Sequence, residues 1–227
     1  MARERRCYRV SRACVRCTGR SRSCRRQAAG RPAKVIQSPN FVPRRSQPPA
    51  ETAAQTLWRD ELLSRPFFAD PLRRHDIAPI TDGASAIVLA VGDKARELRK
   101  NPAWITGIEH RIETPVLGAR ELTTSPSTAA SAQAATGGDA ASIEIAEIYA
   151  PFTHQQLILT EAIGLPSSTK VNPSGGALAA NPMFCAGLER IGFAAQHIFS
   201  RSAGRVLAHA TSGPVLQQNL VAVLEGK

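Results

Sequence analysis

The sequence predicts a layered α/β domain over residues 51–227, and three observations predict it. Apolar runs of strand length alternate with helical segments along the chain. Turn and cap residues, mainly Gly, Pro and Asn, fall between those runs. The segment Pro182–Phe199 is apolar around most of its circumference, which a helix sustains only when buried between layers.

Taken in order, residues 51–75 read as an irregular lead-in that continues into PFFADPLRRHDIAP. Asp82-Gly83 is a turn, and Ala84–Val91 after it is an apolar run of strand length. Asp93–Lys100 reads as a short polar helix, stopped ahead of Pro102. Ala103–Ile112 is a strand and residues 113–124 a loop. Ser125 opens a helix with Pro126 in its first position, and Gly137-Gly138 ends it. Ser142–Tyr149 (SIEIAEIY) is the clearest strand, and Thr153–Ile163 a helix ended by Gly164. A helix is expected from Asn181-Pro182 to about Ser200. Val206–Ala210 and Leu220–Leu224 are the last strands, joined by a Gly-Pro turn.

Charge separates this body from what precedes it. The first 50 residues hold thirteen Arg and one Lys against a single acid, Glu4, so they carry +13 and the other 177 residues −2 of the total +11. A nucleic-acid function would rest on that head alone, and nucleic acid is not an expected partner. No segment has the roughly 20 apolar residues that span a bilayer, and no secretory signal is visible. Four of the five Cys lie in the head, leaving Cys185 alone in the body, which suits a reducing cytoplasm.

The head has no lasting apolar period and reads as a disordered basic tail. Cys7, Cys14, Cys17 and Cys24, spaced C-x6-C-x2-C-x6-C, have the right number for tetrahedral zinc but match no known module. Its Arg- and Ser-rich composition also fits a mitochondrial transit peptide. The same composition arises when a GC-rich gene is read out of frame, which makes a mis-assigned start a further alternative.

Three segments at strand and helix ends carry the chemistry, where α/β proteins place their sites. They are Glu147-Ile148-Tyr149-Ala150-Pro151-Phe152, then Asn172-Pro173-Ser174-Gly175-Gly176 with Asn181-Pro182, and last His209-Ala210-Thr211-Ser212-Gly213-Pro214. In this order they resemble the carboxy-terminal motifs of the thiolase superfamily. The nearest branch is the sterol-carrier-protein or lipid-transfer type, with its thiolase-fold aldolases. Thr81-Asp82-Gly83-Ala84-Ser85-Ala86 is similar to the stretch that leads the family's second half. The likeness covers about residues 66–226.

The resemblance implies the carboxy-terminal half of a thiolase fold, a mixed sheet with helices on both faces. It implies an acyl-CoA thioester as substrate, coenzyme A entering as part of it, and no permanently bound cofactor. It implies a homodimer, or a partner built of an OB fold and a zinc ribbon. The family's nucleophilic Cys belongs to its amino-terminal half, which has no counterpart here, so this chain is expected to be truncated. In complete thiolases, helices of two similar halves pack between two sheets. The Pro182–Phe199 helix matches one such contribution, and part of its face is expected to be exposed or covered by a partner.

The site departs from the family pattern. Tyr149 stands where thiolases have Asn and the sterol-carrier branch His. Asn181 aligns with the His of the Gly-His-Pro loop, and Thr211 with the Cys that acts as acid/base. Thiolysis needs a thiolate and a second proton carrier; Thr211 does not titrate near neutrality. The resemblance therefore implies Tyr149 and His209 as catalytic residues, and Asn181, Gly175, Gly176, Thr211 and Gly213 as substrate-binding. Aldol or retro-aldol chemistry on a β-hydroxyacyl-CoA fits this set better than thiolysis. Bland readings stand beside these. Tyr149 closes a strand, Asn181 caps a helix, Thr211 shapes a turn, His209 packs in the sheet, and the two glycines permit close backbone approach. The rival function is a non-catalytic lipid-transfer or acyl-CoA-binding module, or an inactive fragment.

Overall fold

A computed structural model describes residues 34–37 and 59–226. Its main feature is a seven-stranded mixed sheet. The strands are β1 (Lys34–Gln37), β4 (Ile87–Ala90), β5 (Ala103–Ile112), β6 (Ile145–Ile148), β7 (Lys170–Val171), β8 (Arg205–Ser212) and β9 (Gln218–Gly226). Their spatial order is β4-β1-β5-β9-β8-β6-β7. β6 runs parallel to β7 and β8, and the other pairs are antiparallel. Ahead of β4, a short helix α1 (Arg59–Ser64) precedes a hairpin of β2 (Phe67–Ala69) and β3 (Leu72–Arg73).

Helices cover both faces of the sheet, as the family resemblance implies. Helices α3 (Pro126–Thr136) and α4 (Thr153–Ile163) lie on one face, and α6 (Ala186–Phe199) on the other. A short helix α2 (Gly92–Leu98) follows β4, and α5 (Gly176–Ala179) follows β7. The central strands alternate between two cores. On β8 and β9, Leu207, Val221 and Val223 pack with the α3 and α4 side. Val206, Ala208, Ala222 and Leu224 pack with Ala194, Ala195 and Ile198 of α6. Strands buried on both faces read as continuous apolar runs, which is why these were visible in the sequence.

Helix α3 approaches the sheet closely because its inner face is Ser127, Thr128, Ser131, Ala132 and Ala135. Gly107 on β5 makes room for it: a Cβ there would lie 1.9 Å from the Ala135 carbonyl oxygen. The expected stops hold, with Gly137 at φ 68° and Gly164 at φ 75° closing α3 and α4 in the left-handed conformation.

Four expectations are corrected. The span 1–50 was set apart from the fold, yet β1 inserts between β4 and β5; the four head cysteines lie outside the described residues. The lead-in 51–75 holds α1 and the β2–β3 hairpin. Strand β4 is only four residues, shorter than the eight-residue apolar run around it. The last helix starts at Ala186 rather than Asn181, because Pro182–Cys185 forms a turn in which Cys185 and Ala186 N–H donate to the Pro182 carbonyl (both 2.9 Å). Apolar side chains at its entrance are exposed, Met183 by 57% and Phe184 by 108%, and Arg190 occupies its buried face.

Candidate functional site

Tyr149 directly follows β6, and its N–H donates to the His209 carbonyl (3.2 Å) and so continues the β6–β8 ladder. Strand alternation sends Ile145, Glu147 and Tyr149 to the α6 face. There Tyr149 packs among Ala78, Ala177 and Ala186. The segment leading to β4 closes over it: the Ala78 N–H donates to the Pro151 carbonyl (2.8 Å), and Ile80 forms a bridge with Asn181. The Tyr149 hydroxyl donates to Asn181 Oδ1 at 2.9 Å, with the two residues only 8% and 5% exposed. The structure therefore brings together two of the residues named from sequence. The Asn181 amide N–H groups make no hydrogen bond with the described residues. Burial raises the Tyr149 pKa, opposed by the Asn181 bond and by the positive charge of Arg190. At neutral pH its resting form is the protonated hydroxyl, a donor.

Asn181 is not a helix cap; that position belongs to Cys185. Asn172 ties the loop to β6 instead. Its Oδ1 accepts from the Ile148 N–H (2.6 Å) and its Nδ2 donates to Gln156 Oε1 (2.8 Å). Gly175 and Gly176 follow with φ 90° and 61°, and a Cβ on Gly176 would meet the Asn172 amide at 2.9 Å. Both glycines are therefore required by the loop's own backbone.

His209 is not part of the Tyr149 pair. It pairs in register with Ile148 and shares that residue's face, toward α3, on the opposite side of the sheet from Tyr149. It is fully buried, and its Nε2 lies 3.0 Å from Asn219 Oδ1. The Asn219 Nδ2 donates to Ser127 Oγ (2.7 Å) and to the Leu216 carbonyl (2.8 Å), so Oδ1 is the acceptor and His209 carries its proton on Nε2. Burial lowers the His209 pKa to about 4. Its geometry is that of a core histidine, which corrects the catalytic assignment. Thr211 Oγ1 donates across the hairpin to the Gln218 carbonyl (2.9 Å). Gly213 turns the β8–β9 connection at φ 75°, where a Cβ would strike Gln217 Oε1 at 2.5 Å. Both have structural roles there.

Sequence reasoning missed a charged cluster behind Tyr149. Glu147, fully buried, accepts from Ser174 Oγ (2.5 Å) and Ser174 N–H (3.3 Å). Arg190 Nη1 donates to Glu147 Oε2 (3.3 Å) and to Ser174 Oγ (3.1 Å). His197 Nε2 lies 3.1 Å from Glu147 Oε1. A sign was present: the one acid within the apolar strand IAEI and the one Arg in an apolar helix are the positions where a buried pair forms.

Cys185 sits 3.9 Å from Glu189 Oε1, and burial first, then Glu189, raise its pKa. It is a thiol at neutral pH and not an activated nucleophile. Among the described residues no group of three or more His, Cys, Asp or Glu is placed to hold a metal. A cavity of about 200 Å³ lies at the other face, lined by Thr123, Ser125, Ile158 and Glu161 among others, and by none of the candidate site residues named from sequence. No helix of the described residues is long and apolar enough to cross a membrane.

Comparison with known proteins agrees with the motifs. No family profile matches the chain. An acetyl-CoA acetyltransferase of Methanothermobacter thermautotrophicus is 28% identical over 141 residues, covering 52% of this chain and 36% of that protein. Human mitochondrial 3-ketoacyl-CoA thiolase superposes with TM-score 0.61 at 20% identity, over 76% of this chain and 43% of the thiolase. An Ltp2–ChsH2(DUF35) aldolase superposes with TM-score 0.64 at 19% identity, over 76% of this chain and 52% of that one. The chain thus spans about half the length, or less, of the proteins it matches. Over that part, its sequence is similar to an acetyl-CoA acetyltransferase and its fold is similar to that of the thiolase and the aldolase.

Proposed function

We propose that this chain is part of an acyl-CoA-processing enzyme of thiolase type, and that its chemistry is aldol or retro-aldol rather than thiolysis. The observation that carries this is the Tyr149–Asn181 pair, a buried hydroxyl and a carboxamide where thiolysis needs a thiolate and a second titrating group. The similarity to both an acetyltransferase and an aldolase supports the class.

On a β-hydroxyacyl-CoA, cleavage removes the β-hydroxyl proton, breaks the Cα–Cβ bond, releases a carbonyl compound and leaves the electron pair on the thioester enolate. The enolate then takes a proton at Cα. Tyr149 is matched to the oxygen that changes between hydroxyl and carbonyl: as a neutral donor it gives that oxygen its proton in the condensing direction, and its phenolate takes the proton back in cleavage. The free N–H groups of Asn181 are matched to the thioester oxygen, which gains negative charge in the enolate. Gly175, Gly176, Thr211 and Gly213 shape the loops around this pair. Coenzyme A enters as part of the substrate. The aldolase neighbour is described as Ltp2 with ChsH2(DUF35), which supports a second protein, or a second copy of this chain, completing the assembly. Lipid or sterol breakdown in a reducing cytoplasm is the setting this chemistry suits, and the free Cys185 accords with it.

The non-catalytic reading, an acyl-CoA or lipid carrier, is favoured by one observation: Tyr149 and Asn181 are buried and bonded to each other. Calorimetry with acyl-CoA thioesters and product analysis with a β-hydroxyacyl-CoA separate the two. Binding with cleavage that Tyr149→Phe abolishes supports the aldol reading. Binding without cleavage supports the carrier. Thiolysis of acetoacetyl-CoA faster than about 1 s⁻¹, an ordinary enzyme rate, contradicts the aldol assignment, and the absence of any acyl-CoA binding contradicts both.

A further inference from the structure

The buried Glu147–Arg190 pair needs a reason beyond stability, since replacing such pairs by apolar residues is often neutral or stabilising. Its place in the fold supplies one. Along β6 the residues facing α6 are Ile145, Glu147 and Tyr149. Ile145 belongs to the core that holds Ala194 and Ile198, Glu147 bonds Arg190, and Tyr149 packs on Ala186. Strand and helix therefore run antiparallel and in step. Two strand residues advance roughly 6.6 Å and four helical residues roughly 6 Å, so each inward strand residue meets the next helical turn. This register sets Arg190 one helical turn on from Ala186, the residue packed with Tyr149.

The anchoring is complete on the carboxylate side. Glu147 receives Ser174 Oγ and N–H, Arg190 Nη1 and His197 Nε2. Ser174 also receives Arg190 Nη1 and the Gly176 N–H (3.3 Å), so the glycine loop is tied to the same cluster. We propose that Arg190, anchored by Glu147, is a positioning residue that holds a fixed positive charge near the Tyr149 hydroxyl and eases transfer of its proton to substrate.

The charged and titratable groups around Tyr149 are Glu147 on β6, Glu189, Arg190 and His197 on α6, and Cys185 at the start of that helix. The segment through Ala78 carries Asp76, which is tied to Thr153 Oγ1 (2.9 Å) and the Arg73 N–H (2.8 Å), and Asp82; α5 carries none. Glu189 Oε2 lies 3.7 Å from Arg190 Nη2, and burial raises its pKa. The positive charge of Arg190 favours the Tyr149 phenolate, against the larger effect of burial.

The inference rests on Tyr149 as the proton donor of the proposed reaction, but its test reads the hydroxyl and not turnover. The chain has two tyrosines, Tyr8 and Tyr149. In a Tyr8→Phe background, 3-fluorotyrosine reports Tyr149 alone, and its fluorine resonance is followed against pH. The double variant Glu147→Gln/Arg190→Gln removes the charge without leaving an unpaired ion. Its phenol midpoint is expected to rise, by less than the roughly one pH unit that a single opposite charge a few ångströms away is worth, because the lost Glu147 carboxylate acts the other way. Arg190→Lys is expected to stay near the parent. An unmoved midpoint in a double variant with the parent's circular dichroism overturns the proposal. Where the double variant fails to fold, Glu147→Gln alone decides: freeing the guanidinium from its carboxylate lowers the midpoint, and one that stays or rises overturns the proposal. A moved midpoint in a chain that never cleaves substrate sinks the aldol reading and leaves this one standing; an unmoved midpoint in an active chain does the reverse.

Discussion

Acidification from pH 7 to pH 4 should destabilise this fold through His209. The imidazole is fully buried, with its Nε2 held by Asn219, and its pKa falls from the ordinary 6.5 to about 4. The unfolded chain therefore binds a proton between these values that the folded chain does not. Stability from this group is present above pH 6.5 and is lost as pH falls toward 4. At about 1.36 kcal/mol for each pH unit, a fall from 6.5 to about 4 is worth at most roughly 3.4 kcal/mol. Urea unfolding at pH 7, 5.5 and 4 measures it against His209→Gln, which keeps an N–H donor for Asn219 and does not titrate. The gap between the two proteins should narrow by about 2–3 kcal/mol from pH 7 to pH 4. A gap that stays constant across the range would mean that His209 is not held neutral in the sheet, and the assignment of its face would fail with it.

Other outcomes follow from packing. Gly107→Ala drives a methyl into the Ala135 carbonyl and should cost about 1–3 kcal/mol, seen as a lower urea midpoint. Deleting residues 1–50 removes β1 and leaves β4 without its sheet partner; the melting temperature should fall, by roughly 2–4 °C for each kcal/mol lost. Phe184→Glu removes the most exposed aromatic at the α6 entrance and should lower hydrophobic-dye binding and self-association in light scattering, without changing the melt.

What could be read in the sequence follows from the range of the forces involved. Strands β5, β6, β8 and β9 and helices α3 and α4 announce themselves through local apolar runs and through Gly137 and Gly164, whose backbone freedom is a local property. β1 does not, because KVIQ is too short to show a period and takes its place only through pairing with β4 and β5. The site follows the same division. Asn181 looked like a cap because Asn-Pro is a good helix start, and its true partner, Tyr149, stands 32 residues away. His209 looked catalytic because it lies two residues from a motif position. Facing, however, is set by strand parity: pairing with Ile148 turns it toward α3, and the same parity turns Tyr149 toward α6.

Parity also explains why the charged cluster belongs to the site. Glu147 and Tyr149 are two apart on β6, so they must share a face, and Arg190 is one turn from Ala186, which touches Tyr149. An acid placed at Ile148 or Ala146 would have entered the apolar α3 and α4 core. The spacing Glu-x-Tyr on the strand, with Ala-x3-Arg on the helix, thus puts a buried Arg one turn from the residue packed with Tyr149. A protein that needed only a filled core could place an apolar residue at both positions, since the pair itself adds little stability. The charge makes physical sense where the hydroxyl near it has to part with its proton.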